Sequence, residues 1–204
     1  MEKDKRLLLD YPVVVEGKYD KIKLSGVVAS PIVAVNGFSV FNNSQMRLFL
    51  RRLAASGRII VLTDSDGAGR LIRSRIRDFL PVESIIDLHI PRIKGKESRK
   101  GAPSKENLLG VEGMDDRLLY DLLLPYSDGG GKARREFVIN RTRFYEDGFL
   151  GAVNSAAARD ALAAELGLPE GLTSGALLQA ISAAVSEDEY ISARDRVKKG
   201  LEST

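Results

Sequence analysis

The chain of 204 residues has no cysteine, no tryptophan and a single histidine. Without cysteine there is no disulfide, no thiolate zinc site and no cysteine nucleophile. One histidine cannot build a histidine-rich metal centre. His89, in a strand just before Pro91, is therefore read as structural. No stretch reaches the roughly 18 consecutive apolar residues that a bilayer crossing requires. The segment Met1 to Arg6 is mixed in charge with no apolar run behind it, so no secretory leader is expected. Together these absences point to the cytoplasm and away from membranes.

Charge is present, and it is unevenly spread. Residues 1–126 hold 21 Lys and Arg against 16 Asp and Glu, whereas residues 127–204 hold 10 against 12. A basic front half containing a few acids suits an anionic partner held near a metal ion.

The front half alternates apolar runs with amphipathic stretches, the pattern of a parallel α/β sheet. Val13 to Val15 reads as a buried strand that ends at Glu16-Gly17, and a short helix follows from Tyr19 to Gly26. Ile32 to Val35 is a second strand, ending at Asn36-Gly37. Met46, Phe49, Leu50 and Leu53 fall on one face of a helix. Ile59 to Leu62 and Ile85 to Ile90 are two more strands, with a helix from Ala68 to Phe79 between them. On that helix Arg70, Arg73 and Arg77 are expected to share an outward face. Right-handed crossovers would bring every strand C-terminus to one edge, where open α/β sheets bind ligands. Pro91 to Pro103 is a basic loop without periodicity, Asp128 to Gly131 reads as a linker, and the remainder is short alanine-rich helices. The expected architecture is α/β, a four-stranded mostly parallel sheet with flanking helices over residues 1–126. A small C-terminal all-α domain, expected to contact RNA or a partner, follows over residues 132–204.

Two acidic turns carry the chemistry. Glu16-Gly17-Lys18-Tyr19-Asp20 follows the first strand, and Asp64-Ser65-Asp66-Gly67 follows the third. Asp64 and Asp66, one residue apart, point to the same side if strand geometry persists. They suit one hard cation of the magnesium kind, which takes oxygen ligands and keeps several waters. Glu16 arrives from a neighbouring strand as a further ligand or a general acid/base. Plainer roles also fit: Asp66 as the cap of the following helix, and Asp20 as a stabiliser of its own first turn.

The sequence Val13-Val14-Val15-Glu16-Gly17 with Asp20, followed by Leu62-Thr63-Asp64, Asp66 and Gly69, resembles the Toprim domain of topoisomerases, DnaG-type primases and several nucleases. The resemblance covers residue 12 to about residue 113. It implies that Glu16, Asp64 and Asp66 are catalytic and bind one or two magnesium ions. A narrower resemblance is to the ribonuclease M-five family, endoribonucleases that mature precursor 5S rRNA. It rests on Asn36-Gly37, the basic Lys94–Lys105 loop, Gly110-Val111-Glu112-Gly113, and a tail from Gly148 through Asn154 to Pro169. This resemblance implies Glu112 as a fourth metal-site carboxylate. The tail departs from the family pattern at Gly151-Ala152 and Ala158-Arg159, where relatives carry Gly-Gly and Arg-Arg pairs.

The function so implied is a magnesium-dependent endoribonuclease, a Toprim-type phosphodiester hydrolase that cuts double-stranded RNA in rRNA processing. Structured RNA is the expected partner, with the 5S-binding large-subunit ribosomal protein as a second candidate. Lys18, Arg70, Arg73, Lys94, Lys96, Arg99, Lys100 and Lys105 are the expected RNA-binding residues. Three alternatives stand beside it: a Toprim paralogue acting on another nucleic acid, a non-catalytic RNA-binding or ribosome-assembly factor, and an aspartyl-nucleophile phosphatase. The last normally carries its Asp-x-Asp motif on the first strand, whereas here the motif ends the third.

Overall fold

A run of β-branched residues that is apolar on both faces belongs in the middle of a parallel sheet, and Val13–Val15 (β1) is fully buried at the centre of one. In a computed structural model that describes residues 6–36, 44–96, 101, 106–127 and 137–202, β1 pairs in parallel on both sides. Its neighbours are β2 (Ile32–Ala34) and β3 (Ile59–Thr63), and β4 (Ile85–His89) pairs in parallel with β3. The order is β2-β1-β3-β4. Helices α1 (Lys18–Ser25), α2 (Ser44–Ala55) and α3 (Gly67–Arg77) lie in the connections. The sheet is thus wholly parallel where the sequence suggested mostly parallel.

This order places a switch between β1 and β3. The chain leaves β1 toward β2 and leaves β3 toward β4, in opposite directions along the sheet. Connections that diverge in this way leave a crevice at the strand C-termini. A 3-10 turn (Val111–Gly113) and α4 (Asp116–Leu123) complete this region. Val111, Met114, Leu119 and Leu123 join Val13, Val15, Ile60 and Leu62 in its apolar core.

The chain divides into two units: Met1–Asn42 with Leu53–Arg134, and Asn43–Arg52 with Arg135–Thr204. The second unit contains α5 (Arg141–Glu146), α6 (Ser155–Glu165), α7 (Ser174–Ala184) and α8 (Glu187–Glu202). Buried alanines at 158, 163, 180, 183 and 193 let these helices approach closely around Leu162, Ile181 and Tyr190. Gly167 (φ +63°) stops α6, because an αL residue there lets Leu168 N–H reach back to the Ala163 carbonyl at 2.8 Å. Arg52 ties α2 into this unit. Its guanidinium donates to the carbonyls of Leu166 (2.7 Å) and Ala184 (2.9 Å) and pairs with Glu189. The expected linker, Asp128 to Gly131, lies outside the described residues.

A candidate carboxylate site at the sheet edge

The register that matches Val15 with Leu62 places Glu16 beside Thr63 and Asp64 at the switch point. Each acid of the second turn has an identified structural partner. Asp66 caps α3, its Oδ1 accepting the Gly69 N–H at 2.9 Å. Asp64 Oδ1 accepts the Val111 N–H at 2.8 Å, across 47 residues of chain. Ser65 between them donates to the Ile90 carbonyl at 2.7 Å, holding the turn to the end of β4.

Two glycines make this packing possible. A Cβ on Gly69 would stand 2.0 Å from the Asp64 carbonyl oxygen. A Cβ on Gly110 would stand 2.3 Å from Asp64 Oδ2. Both distances are far inside van der Waals contact, so only glycine lets α3 and the 110–113 turn close on Asp64. The Gly110 to Gly113 segment is therefore pinned against the carboxylate turn.

Glu112 arrives with that segment and acts on Asp20, an acid that the sequence suggests only as a stabiliser of its own first turn. Asp20 is 8% exposed, and its Oδ2 accepts the Gly17 N–H at 2.9 Å as the third residue of α1. Its carboxyl is pushed up to about 7. Burial is the chief cause, then the negative charges of Asp64 and Glu112; bonds from the Gly17 and Glu112 N–H groups oppose the rise. A helix-capping role explains the hydrogen bond but not the repulsive company. The spacing from Glu16 to Asp20 hints that both acids share the strand-end turn, yet only the fold shows that Asp20 faces Asp64 and Glu112.

The cations divide sharply. Arg73, expected on an outward face, is instead 3% exposed. Its guanidinium donates to Thr63 Oγ1 (2.8 Å), the Thr63 carbonyl (2.8 Å) and the Asp64 carbonyl (3.1 Å), and it reaches the His89 ring and Asp87. A long side chain on the α3 turn nearest the sheet can satisfy carbonyls that a parallel strand leaves at its end, and that outweighs exposure. Burial pulls its pKa below the usual arginine range, opposed by Asp87 and Asp64. Arg73 thus holds the backbone of Asp64 from behind. Arg70, Lys18, Lys94 and Lys96 are exposed. Lys94 and its neighbours are also more ordered than a free loop, forming antiparallel contacts through Gly95 N–H to Asn107 O (3.1 Å) and Leu109 N–H to Ile93 O (2.8 Å). Arg99, Lys100 and Lys105 lie outside the described residues.

Among the described residues, no three Asp, Glu or His side chains are drawn together into a ready-made ion cage. Magnesium does not demand one, being held commonly by one or two carboxylates with water and substrate phosphate. The donors here are oxygen only, and the Asp20 carboxyl, raised by burial first, is raised further by the charges of Asp64 and Glu112, which a cation would relieve. The residues present fit such an ion.

A four-stranded parallel sheet in this order, with carboxylates at the switch point and C-terminal helices after it, makes an α/β protein whose fold is consistent with the Toprim type. No family model matches the chain. In sequence it is similar to ribonuclease M5 of Clostridium acetobutylicum, 28% identical over 189 residues that cover 92% of this chain and 94% of that one. It is also similar to ribonuclease M5 of Clostridium botulinum, 26% identical over 93% of this chain and 97% of that one. A third such relative, from Fusobacterium nucleatum, is 28% identical over 76% and 78%. The chain therefore resembles ribonuclease M5 through both units.

Proposed function

We propose that this chain is a magnesium-dependent endoribonuclease that matures precursor 5S rRNA by cutting double-stranded RNA, acting in the cytoplasm. The observation that carries the reading is the buried Asp20 at the strand-end turn, its carboxyl raised by burial and then by the charges of Asp64 and Glu112. A buried acid beside other acids costs stability, and active sites are where that cost recurs. Likeness to ribonuclease M5 over nearly the whole chain selects RNA as the polymer.

Asp64, Asp66, Glu16 and Glu112 are the residues that would hold magnesium, which when bound neutralises charge on the phosphate and lowers the pKa of an attacking water. The chain's own groups do the rest. The Val111 N–H and the Arg73 guanidinium fix both ends of Asp64. Where Glu16 is not a ligand, it serves as the general acid/base that moves a proton at the reacting phosphate. Lys18, Lys94 and Lys96 neutralise flanking phosphates, a contribution that salt weakens. An RNA duplex is recognised by shape and 2′-hydroxyls more than by base edges. The 5S-binding large-subunit ribosomal protein is the partner proposed to shape the substrate.

The test is incubation of the purified protein with precursor 5S rRNA, with and without magnesium, beside Asp64→Asn. Magnesium-dependent shortening that Asp64→Asn loses is the expected result. No cleavage by the wild type, even with the ribosomal protein added, overturns the maturation reading.

A further inference from the structure

Beside the Asp64-Ser65-Asp66 turn, two arginines from separate segments converge on one carboxylate. Arg70 Nη2 is 3.0 Å from Glu106 Oε1, and Arg92 Nη2 is 3.1 Å from Glu106 Oε2. Arg70 Nη1 also reaches the Ser65 carbonyl at 3.4 Å, which fixes this pair at the edge of the acidic site. A Cβ on Gly67 would lie 3.5 Å from Glu106 Oε1, so Glu106 rests against the first turn of α3. Arg92 and Glu106 are carried on the two arms of the antiparallel pairing through Lys94 and Leu108.

We infer that Arg70 and Arg92 form a subsite for an RNA backbone phosphate, and that Glu106 is its internal occupant in the RNA-free protein. The inference rests on the reading of RNA as substrate. One guanidinium serves each oxygen of the carboxylate, and the two non-bridging oxygens of a phosphodiester offer the same paired acceptors. The arginine side chains remain 57% and 63% exposed and Glu106 30% exposed, so a polyanion can reach the subsite. Ion pairs this exposed are weak and easily exchanged. Releasing Glu106 costs little, and a phosphate placed there lies next to the carboxylates proposed to act on its neighbour. Binding of RNA thus exchanges one anion for another at Arg70 and Arg92.

The experiment is fluorescence anisotropy with a labelled RNA duplex in EDTA, so that binding is read without cleavage. Glu106→Gln is expected to bind roughly fivefold tighter than the wild type. Arg70→Ala and Arg92→Ala are each expected to bind more weakly. The gain from Glu106→Gln should disappear when both arginines are alanine. Glu106→Ala serves as a second variant, with thermal melts confirming that each protein is folded. Unchanged or weaker binding by both Glu106 variants, while the wild type binds well, overturns this inference alone. A gain that persists without the arginines is general surface charge and also overturns it. Failure of every variant and the wild type to bind the duplex overturns the RNA reading and this inference together.

Discussion

Asp147 in the second unit and Asp20 in the first are both almost closed to solvent, at 9% and 8% exposure, yet their surroundings are opposite in sign. Asp147 accepts the Tyr190 hydroxyl at 2.6 Å and faces Arg194 and Lys198 at 3.4 Å and Arg143 at 3.8 Å. Burial and the Asp147 carboxylate together push the Tyr190 hydroxyl far above its usual range, keeping it a donor. Asp20 has backbone N–H groups from Gly17 and Glu112, but the charges that act on it are those of Asp64 and Glu112. A buried acid surrounded by cations and a hydroxyl is compensated where it stands, and removing it would leave its partners unpaired. A buried acid surrounded by acids weakens the fold, and it makes sense where a cation and a phosphate are to be received.

Changes to the two clusters should therefore separate function from stability. The largest effect is expected from Asp64→Asn, which should lower RNA cleavage in single-turnover assays by at least roughly 100-fold. Its thermal melt in EDTA should be no lower than that of the wild type, since repulsion is relieved. A melt that collapsed would make Asp64 a structural acid like Asp147.

Asp147→Asn should lower stability by about 2 kcal/mol in urea denaturation, because three cations lose their counter-charge. Asp20→Asn should act with the opposite sign. The Asp20 carboxyl titrates at 3.8 when unfolded and at about 7 when folded. Its protonation therefore favours the fold fully below the lower value, and this contribution is lost as pH rises through the upper one. In EDTA, Asp20→Asn should gain on the order of 1–2 kcal/mol near pH 8 and gain little near pH 4. Denaturation curves at the two pH values check this, and a loss at both would erase the contrast. The smallest effect is expected from Tyr190→Phe, which removes one donor to Asp147 and should cost about 1 kcal/mol by the same measurement.

Much of this was legible along the chain. The apolar runs at Val13, Ile32, Ile59 and Ile85 announce buried strands, and Asp64 and Asp66 announce themselves by spacing after one of them. Helical periodicity was a poorer guide to Arg73. It sets Arg70, Arg73 and Arg77 on one side of α3, but nothing local shows that the end of β3 would offer three acceptors within reach of the middle one. Gly110 is similar: its value lies in the 2.3 Å that a Cβ would leave to Asp64, and that neighbour is remote in sequence. The reach of Arg52 to the carbonyls of Leu166 and Ala184, 114 and 132 residues away, is likewise invisible locally.

By itself the sequence determined the strands, the helices and the turns on which Glu16, Asp64 and Asp66 stand, because backbone preference and apolar periodicity operate over a few neighbouring residues. Only the tertiary structure decided which acids repel one another, which arginine is buried and which is held by Glu106. Those outcomes depend on burial and on charges brought together from segments far apart, and Coulomb energy responds to distance in space, with no regard for distance along the chain.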